Sequence, residues 1–237
     1  MLSFGTVDVA LDDVLGVIDD ELARWGVERA VARPLGVDTE TFSPRRRVPA
    51  LRRELGLAAR VRLLVYAGRF SREKNIGVLL DAFRILGPRY HLVLAGPPVD
   101  FALPANVTQL PFLHSSLELA RILASADGLV HAGDQETFGL VVLEAMACGR
   151  GVVAANAGAF PEIVTPDSGV LVPPRDALAL AEGIVEFYRR DPLAQGFAAR
   201  RRAEAEYAWD SAMRGLLGLY RAALGSAACG APRYATS

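Results

Sequence analysis

The chain has 237 residues, 51% of them hydrophobic, and a formal net charge of −1. That length suits one large or two small domains, and that apolar share can build a sizeable core. The near-neutral balance argues against a nucleic-acid surface, which needs a basic excess.

Residues 14–18, 20–25 and 30–35 predict one strand–helix–strand unit. The turn-rich segment 36–44 (GVDTETFSP) follows it as a linker. One such unit cannot bury both faces of a sheet, so it reads as the end of a larger domain. From about residue 60, short apolar runs alternate with helical patterns. Residues 62–67 (RLLVYA) predict a buried strand. Residues 75–86 predict a helix with Ile76, Leu79, Leu80, Phe83 and Leu86 on one face. Residues 90–95 (YHLVLA) are the next strand, stopped by Gly96-Pro97-Pro98. A short strand at 107–110 leads to a helix at 116–125, with Ser115 or Ser116 as N-cap and Glu118 in its first turn. Strand 128–131, helix 140–147 and strand 151–155 come next. Strand 170–172 precedes Pro173-Pro174, and Asp176 caps a helix to Tyr188. Residues 192–206 and 211–224 predict two closing helices. Strands alternating with helices specify an α/β fold: a doubly wound, Rossmann-like parallel sheet with crossover helices.

Cys148 and Cys229 lack metal-ligand spacing and read as reduced thiols. The N-terminal residues carry no positive stretch, and acids appear at Asp8, Asp12 and Asp13, unlike a signal peptide. No apolar run approaches the ~20 residues of a membrane span. A cytoplasmic location is the expectation.

Gly68-Arg69 directly follow a strand, and in open α/β sheets ligands bind beyond the carboxyl ends of strands. Lys74 stands five positions on, near the next helix start, and is the only lysine in the chain. Arginine offers a planar fork for phosphate oxygens and lysine a compact point charge. Glu136 follows another strand at the same sheet edge. Thr137, Phe138, Gly139 and Leu140 then open a helix whose backbone N–H groups attract an anion. Glu144 lies about one turn inside that helix, where it can accept from a ribose hydroxyl pair, while Glu136 reaches a sugar hydroxyl. Plainer readings stand beside these. Arg69 and Lys74 also fit a solvated loop, Glu136 a loop acid, and Glu144 a first-turn acid favoured by the helix dipole. His131 suits packing or ligand contact. His91 and His114 have no metal partners at useful spacing. No Asp-x-Asp pair supplies a clamp for a metal-bound diphosphate. Asp127 reads as a residue leading into a strand, Asp134 as a loop acid, and Arg45–Arg47 and Arg200–Arg202 as solvated faces.

Taken together, Glu136-x7-Glu144 within ETFGLVVLEAMACG, Gly68-Arg69…Glu73-Lys74-Asn75 and Gly36-Val37-Asp38…Phe42-Ser43-Pro44 resemble the retaining GT-B glycosyltransferases of family 4. Ala157-Gly158…Pro161-Glu162 and Gly169…Pro173 fit the downstream part of that pattern. Residue 151 is glycine where that family usually has proline. The resemblance runs from about residue 13 to 222. It implies a domain that binds a nucleoside-diphosphate sugar as co-substrate, with no metal. Arg69 and Lys74 would neutralise the diphosphate leaving group. Glu136 would hold donor-sugar hydroxyls, Gly68 and the Thr137–Leu140 backbone would contact donor, and Glu144 would take the ribose. Such enzymes are longer. The expected division is therefore a remnant of an N-terminal acceptor domain plus linker (1–45), a nucleotide-sugar domain (46–224) and a loose tail (225–237). The acceptor is expected to be a glycan or lipid, with the missing half supplied by a second chain or a longer product. Basic surface could bring the protein to anionic lipid at the inner membrane face. The alternatives are a non-catalytic nucleotide-sugar-binding module and a nucleotide-sugar epimerase.

Overall fold

The computed structural model describes residues 35–99, 102–111 and 113–228. The strand–helix–strand unit expected before residue 35 lies outside the described residues. Six strands form one sheet: β1 (Arg62–Ala67), β2 (Tyr90–Ala95), β3 (Val107–Gln109), β4 (Gly128–His131), β5 (Gly151–Ala155) and β6 (Gly169–Val172). Their order is β3-β2-β1-β4-β5-β6, and every pairing is parallel. The expected doubly wound α/β sheet is what the chain forms.

The strands read as continuous apolar runs because helices cover both faces of the sheet. Along β1, Leu63, Val65 and Ala67 enter one core, while Leu64 and Tyr66 enter the other. On the first face pack α3 (Ser116–Ser125), α4 (Leu140–Ala147), α5 (Phe160–Ile163) and α7 (Pro192–Glu206). On the second pack α2 (Ile76–Leu86) and α6 (Ala177–Arg189). A short α1 (Leu51–Glu54) precedes β1, and α8 (Trp209–Ala228) closes the described chain.

Local chemistry sets the helix starts. Ser115 accepts from Glu118 N, and the Glu118 carboxylate accepts from Ser115 N, closing a capping box on α3. Asp176 accepts from Ala179 N to cap α6. Asp191 does the same for α7, which begins at Pro192. Asn75 is left-handed at φ 51°, ending a one-turn 3₁₀ segment (Arg72–Lys74) and opening α2.

Three expectations need correction. Residues 36–44 are not a free linker at their described positions. Val37 and Phe42 are buried in the first core, and Val37 exchanges backbone bonds with Tyr207 and Trp209. Arg200 is not a solvated residue. Its Nη1 donates to the carbonyls of Thr39, Phe42 and Ala147, tying that segment to α4 and α7. Arg45, Arg46, Arg47 and Arg201 are exposed, as expected. The helix α8 continues through Ala228, so the first residues of the expected tail are helical. Along α8, Trp209, Met213, Leu217, Tyr220 and Leu224 form an exposed apolar stripe. No helix among the described residues is long and apolar enough to cross a membrane.

Candidate functional site

Strand order places the site. The chain runs outward from β1 through β2 to β3. It then returns to β4 beside β1 and runs outward the other way. The direction of winding reverses between β1 and β4, so their carboxyl ends diverge around a crevice. The loops leaving those two strands carry Gly68–Asn75 and Ala132–Gly139.

Gly68 leaves β1 at φ 147°, a conformation that favours glycine. Its N–H donates to Ala95 O at 3.0 Å. A Cβ on Gly96 would stand 2.4 Å from Gly68 O, so the exits of β1 and β2 meet backbone to backbone. The buried Tyr66 hydroxyl donates to Arg69 O at 2.6 Å and fixes the turn. Burial, together with the nearby Glu136 and Glu73 charges, raises the pKa of Tyr66 and keeps it a neutral donor. The Arg69 side chain is exposed and borders a cavity of about 510 Å³. Its walls come from the β1 and β2 exits, from Leu113–Ser116 and Leu119, and from Leu140, Val141 and Glu144 of α4. Glu144 is half-buried there, and burial pushes its carboxyl up to about 7.

The second loop pair is laced together. Asn75 Nδ2 donates to Ala132 O at 3.1 Å, and Asp134 N donates to Glu73 O at 3.1 Å. The Glu136 carbonyl accepts from Ala159 N at 2.8 Å. Gly158, at φ 57°, leaves room for it, because a Cβ there would lie 2.6 Å from Glu136 O. The Glu136 carboxylate then meets Lys74, with Nζ 2.5 Å from Oε2. The two side chains keep only 12% and 19% of their exposure, so the pair is shielded from bulk water. Gly139 is left-handed at φ 60° and buried against Ile163, and it opens α4 with no side chain capping the first amides. Thr137, Phe138 and Leu140 are exposed around that helix end.

The residues singled out in the sequence therefore fall into two groups on these two loops and on α4, which follows the second. Gly68, Arg69, Leu140 and Glu144 line the cavity. Lys74 and Glu136 form an ion pair beyond it. Thr137, Phe138 and Gly139 shape the helix start without lining the cavity. Sequence reasoning took Gly96-Pro97 as a strand stop, Ser115 or Ser116 as a helix cap and His114 as a histidine without metal partners, and none of them as cavity wall. The rule that selected Gly68-Arg69, position just past a strand, selects Gly96-Pro97 equally well. Asp127 does more than lead into β4. It accepts from Leu63 N and Tyr188 Oη and pairs with Arg52, joining β1, α6 and α1 below the site. Asp134 pairs with Arg175 and is 8% exposed in its side chain. Among the described residues no group of three or more His, Cys, Asp or Glu could hold a metal ion.

The chain has counterparts among known proteins. The family described as glycosyl transferases group 1 matches residues 48–204. The GDP-mannose-dependent alpha-(1-6)-phosphatidylinositol dimannoside mannosyltransferase of Mycobacterium tuberculosis is 36% identical over 224 residues. That alignment covers 91% of this chain and 58% of the relative. The D-inositol 3-phosphate glycosyltransferase of Mycolicibacterium gilvum is 36% identical over 204 residues, covering 80% of this chain and 46% of that protein. Sucrose-phosphate synthase of Thermosynechococcus elongatus superposes with a TM-score of 0.74 at 29% identity, over 88% of this chain and 57% of the synthase. The chain thus spans about half the length of the relatives it matches. With the family's match covering most of the chain, and with a relative 36% identical over 91% of it, this protein belongs to the glycosyl transferases group 1 family.

Proposed function

We propose that this chain is the donor-binding half of a glycosyltransferase that passes a sugar from a nucleoside diphosphate to a hydroxyl acceptor, with retention at the anomeric carbon. The observation that carries the reading is the shielded Lys74–Glu136 pair beside the Arg69–Glu144 cavity, at the reversal of strand order. The nucleoside lies in the cavity, with its ribose hydroxyls on Glu144. Its diphosphate extends past Arg69 toward Lys74 and the first amides of α4. The sugar then stands over Glu136. As the bond from the anomeric carbon to the diphosphate breaks, negative charge grows on the leaving phosphate. Two cations and the helix N-terminus stabilise that charge, Lys74 by turning from Glu136 to the phosphate oxygens. These groups carry the charge, with no metal ion. The acceptor, a glycan or lipid hydroxyl, is presented by a second half, on the same product or another chain. GDP-mannose is the first donor to test, because the M. tuberculosis relative is named for it.

Calorimetry with GDP, UDP, guanosine and uridine tests the binding, and release of free mannose from GDP-mannose tests the chemistry. Binding of a diphosphate without hydrolysis or transfer, even with an acceptor half added, points to a non-catalytic binding module. The two carboxylates divide the work. Glu144→Gln weakens ribonucleotides more than 2′-deoxyribonucleotides, whereas Glu136→Gln spares the nucleotide and loses the preference for its sugar. Identical effects of both substitutions on the bare nucleotide would refute that division.

Acidity gives a further expected result. Glu144 is half-protonated near pH 7, and a ribose diol donates best to the ionised form. The raised value means the proton is held below about 7 and released above it. The preference for ribo- over 2′-deoxyribonucleotide therefore rises about tenfold from pH 6 to pH 8 and then levels off. Taking the ratio of the two ligands cancels titration of their phosphates. Glu144→Gln flattens the profile. A flat profile in the unaltered protein would remove Glu144 from the ribose.

A further inference from the structure

Lys74 is drawn two ways. Its Nζ lies 2.5 Å from Glu136 Oε2. To neutralise a diphosphate it must turn to phosphate oxygens. Glu136 then loses its cation at the moment when a sugar needs its carboxylate held still. A second nitrogen faces the same oxygen. His131 Nε2 lies 4.0 Å from Glu136 Oε2.

The state of His131 is fixed by its surroundings. The side chain is 1% exposed at the end of β4. Its Nδ1 accepts the backbone N–H of Gly133 at 3.0 Å, which leaves the ring proton on Nε2, toward Glu136. The Tyr66 and Phe160 rings pack against it, with centroids 5.2 and 4.9 Å away. A Cβ on Gly133 would stand 2.6 Å from His131 Cε1, so glycine at 133 is what admits the ring. Burial, reinforced by the Lys74 charge, pushes the imidazole pKa down to about 3. The groups that face the ring are thus Tyr66, Phe160, Lys74 and Glu136.

We propose, building on the roles given above to Lys74 and Glu136, that His131 is a positioning residue. Its Nε2–H takes over the Glu136 carboxylate when Lys74 is drawn to the donor diphosphate, and so keeps that carboxylate aimed at the sugar hydroxyls. A neutral donor suits this hand-over. An imidazolium would repel Lys74 and compete with it for Glu136 at all times. An uncharged N–H orients one carboxylate oxygen and leaves the other to accept from the sugar. The change required is small: 4.0 Å shortens to hydrogen-bond length, about 3 Å, by a rotation of the Glu136 side chain.

The first test uses the unaltered protein and nitrogen-15 NMR of the ring. A neutral Nε2–H tautomer is expected from pH 5 to 8, with its Hε2 resonance moving downfield when GDP or UDP is added. The second test compares GDP with GDP-mannose, and UDP with UDP-glucose, by calorimetry. In H131F the diphosphate affinity stays within about twofold. The added affinity conferred by the sugar falls about tenfold, as for the loss of one hydrogen bond to a charged group. H131Q, whose Nε2 reaches the same place, restores most of it. An unchanged sugar increment in H131F, an Nδ1–H tautomer, or an Hε2 that ignores the diphosphate overturns the hand-over while leaving donor binding intact. If the unaltered protein binds neither diphosphate, the hand-over and the donor-binding reading fall together.

Discussion

Lys74→Ala is expected to lower affinity for a nucleoside diphosphate by about 10–100-fold while leaving the bare nucleoside within about twofold. Charge-assisted hydrogen bonds are worth roughly 1.5–3 kcal/mol, and each 1.4 kcal/mol is a factor of ten. The structure adds a second cost that position along the chain does not reveal. Without Lys74, the 19%-exposed Glu136 carboxylate stands beside the incoming phosphates with no cation between them. The repulsion falls on the diphosphate and not on the nucleoside. Lys74→Arg recovers only part of the loss. The ammonium fits a point contact, and the wider guanidinium fork must displace Glu136 to enter. Arg69→Ala acts in the same direction and more weakly, because Arg69 is exposed and its charge is screened by water. Calorimetry with each diphosphate and its nucleoside decides this. Equal losses for both ligands in Lys74→Ala would show that the residue supports the loop and does not meet phosphate.

Much of this site was legible because its parts are local. The strands β1, β2, β4 and β5 announce themselves as short apolar runs, since both faces of the sheet are covered and the polar alternation of a half-exposed strand is lost. Ser115 and Asp176 mark helix starts through bonds to amides three residues on. Glu136, the glycine turn and Glu144 lie within nine residues, so their relation needs only a strand, a turn and a helix. What sequence does not carry is contact across long separations. Lys74 and Glu136 are 62 positions apart, and their pairing depends on β4 returning to the side of β1. Composition is silent on that choice. Arg200 illustrates the reverse error. Three arginines in a row suggest a solvated face, yet a helix turns each side chain about 100° from the last. Arg200 faces the loop at Thr39 and Phe42, and Arg201 faces water. A run of like residues on a helix is several environments, and only the packing tells them apart.

The largest stability effect is expected at a residue whose importance shows only in what its neighbours lack. Phe187 on α6 is fully buried and sits over the point where Gly128 of β4 pairs with Gly151 of β5. A Cβ on Gly128 would lie 2.7 Å from Phe187 Cζ, and one on Gly151 would lie 2.7 Å from Phe187 Cε2. The two glycines are thus the floor on which the ring rests. Glycine at 151 leaves the space that the ring fills. Phe187→Ala removes the ring and leaves a void over a floor that cannot rise to fill it, so relaxation is poor. The expected cost is about 3–5 kcal/mol, a fall in Tm of roughly 6–20 °C. Gly128→Ala forces the opposite fault, overpacking, at about 1–3 kcal/mol. The pair is coupled. Gly128→Ala should cost less in a Phe187→Leu background than in the unaltered protein, because the smaller side chain yields to the methyl group. The relief is partial, since the same Cβ would also stand 2.9 Å from Gly151 O, which is backbone. A double-mutant cycle by thermal and denaturant unfolding measures the coupling. Strict additivity would show that the strain of Gly128→Ala lies in the sheet backbone alone and that the ring is free to move aside.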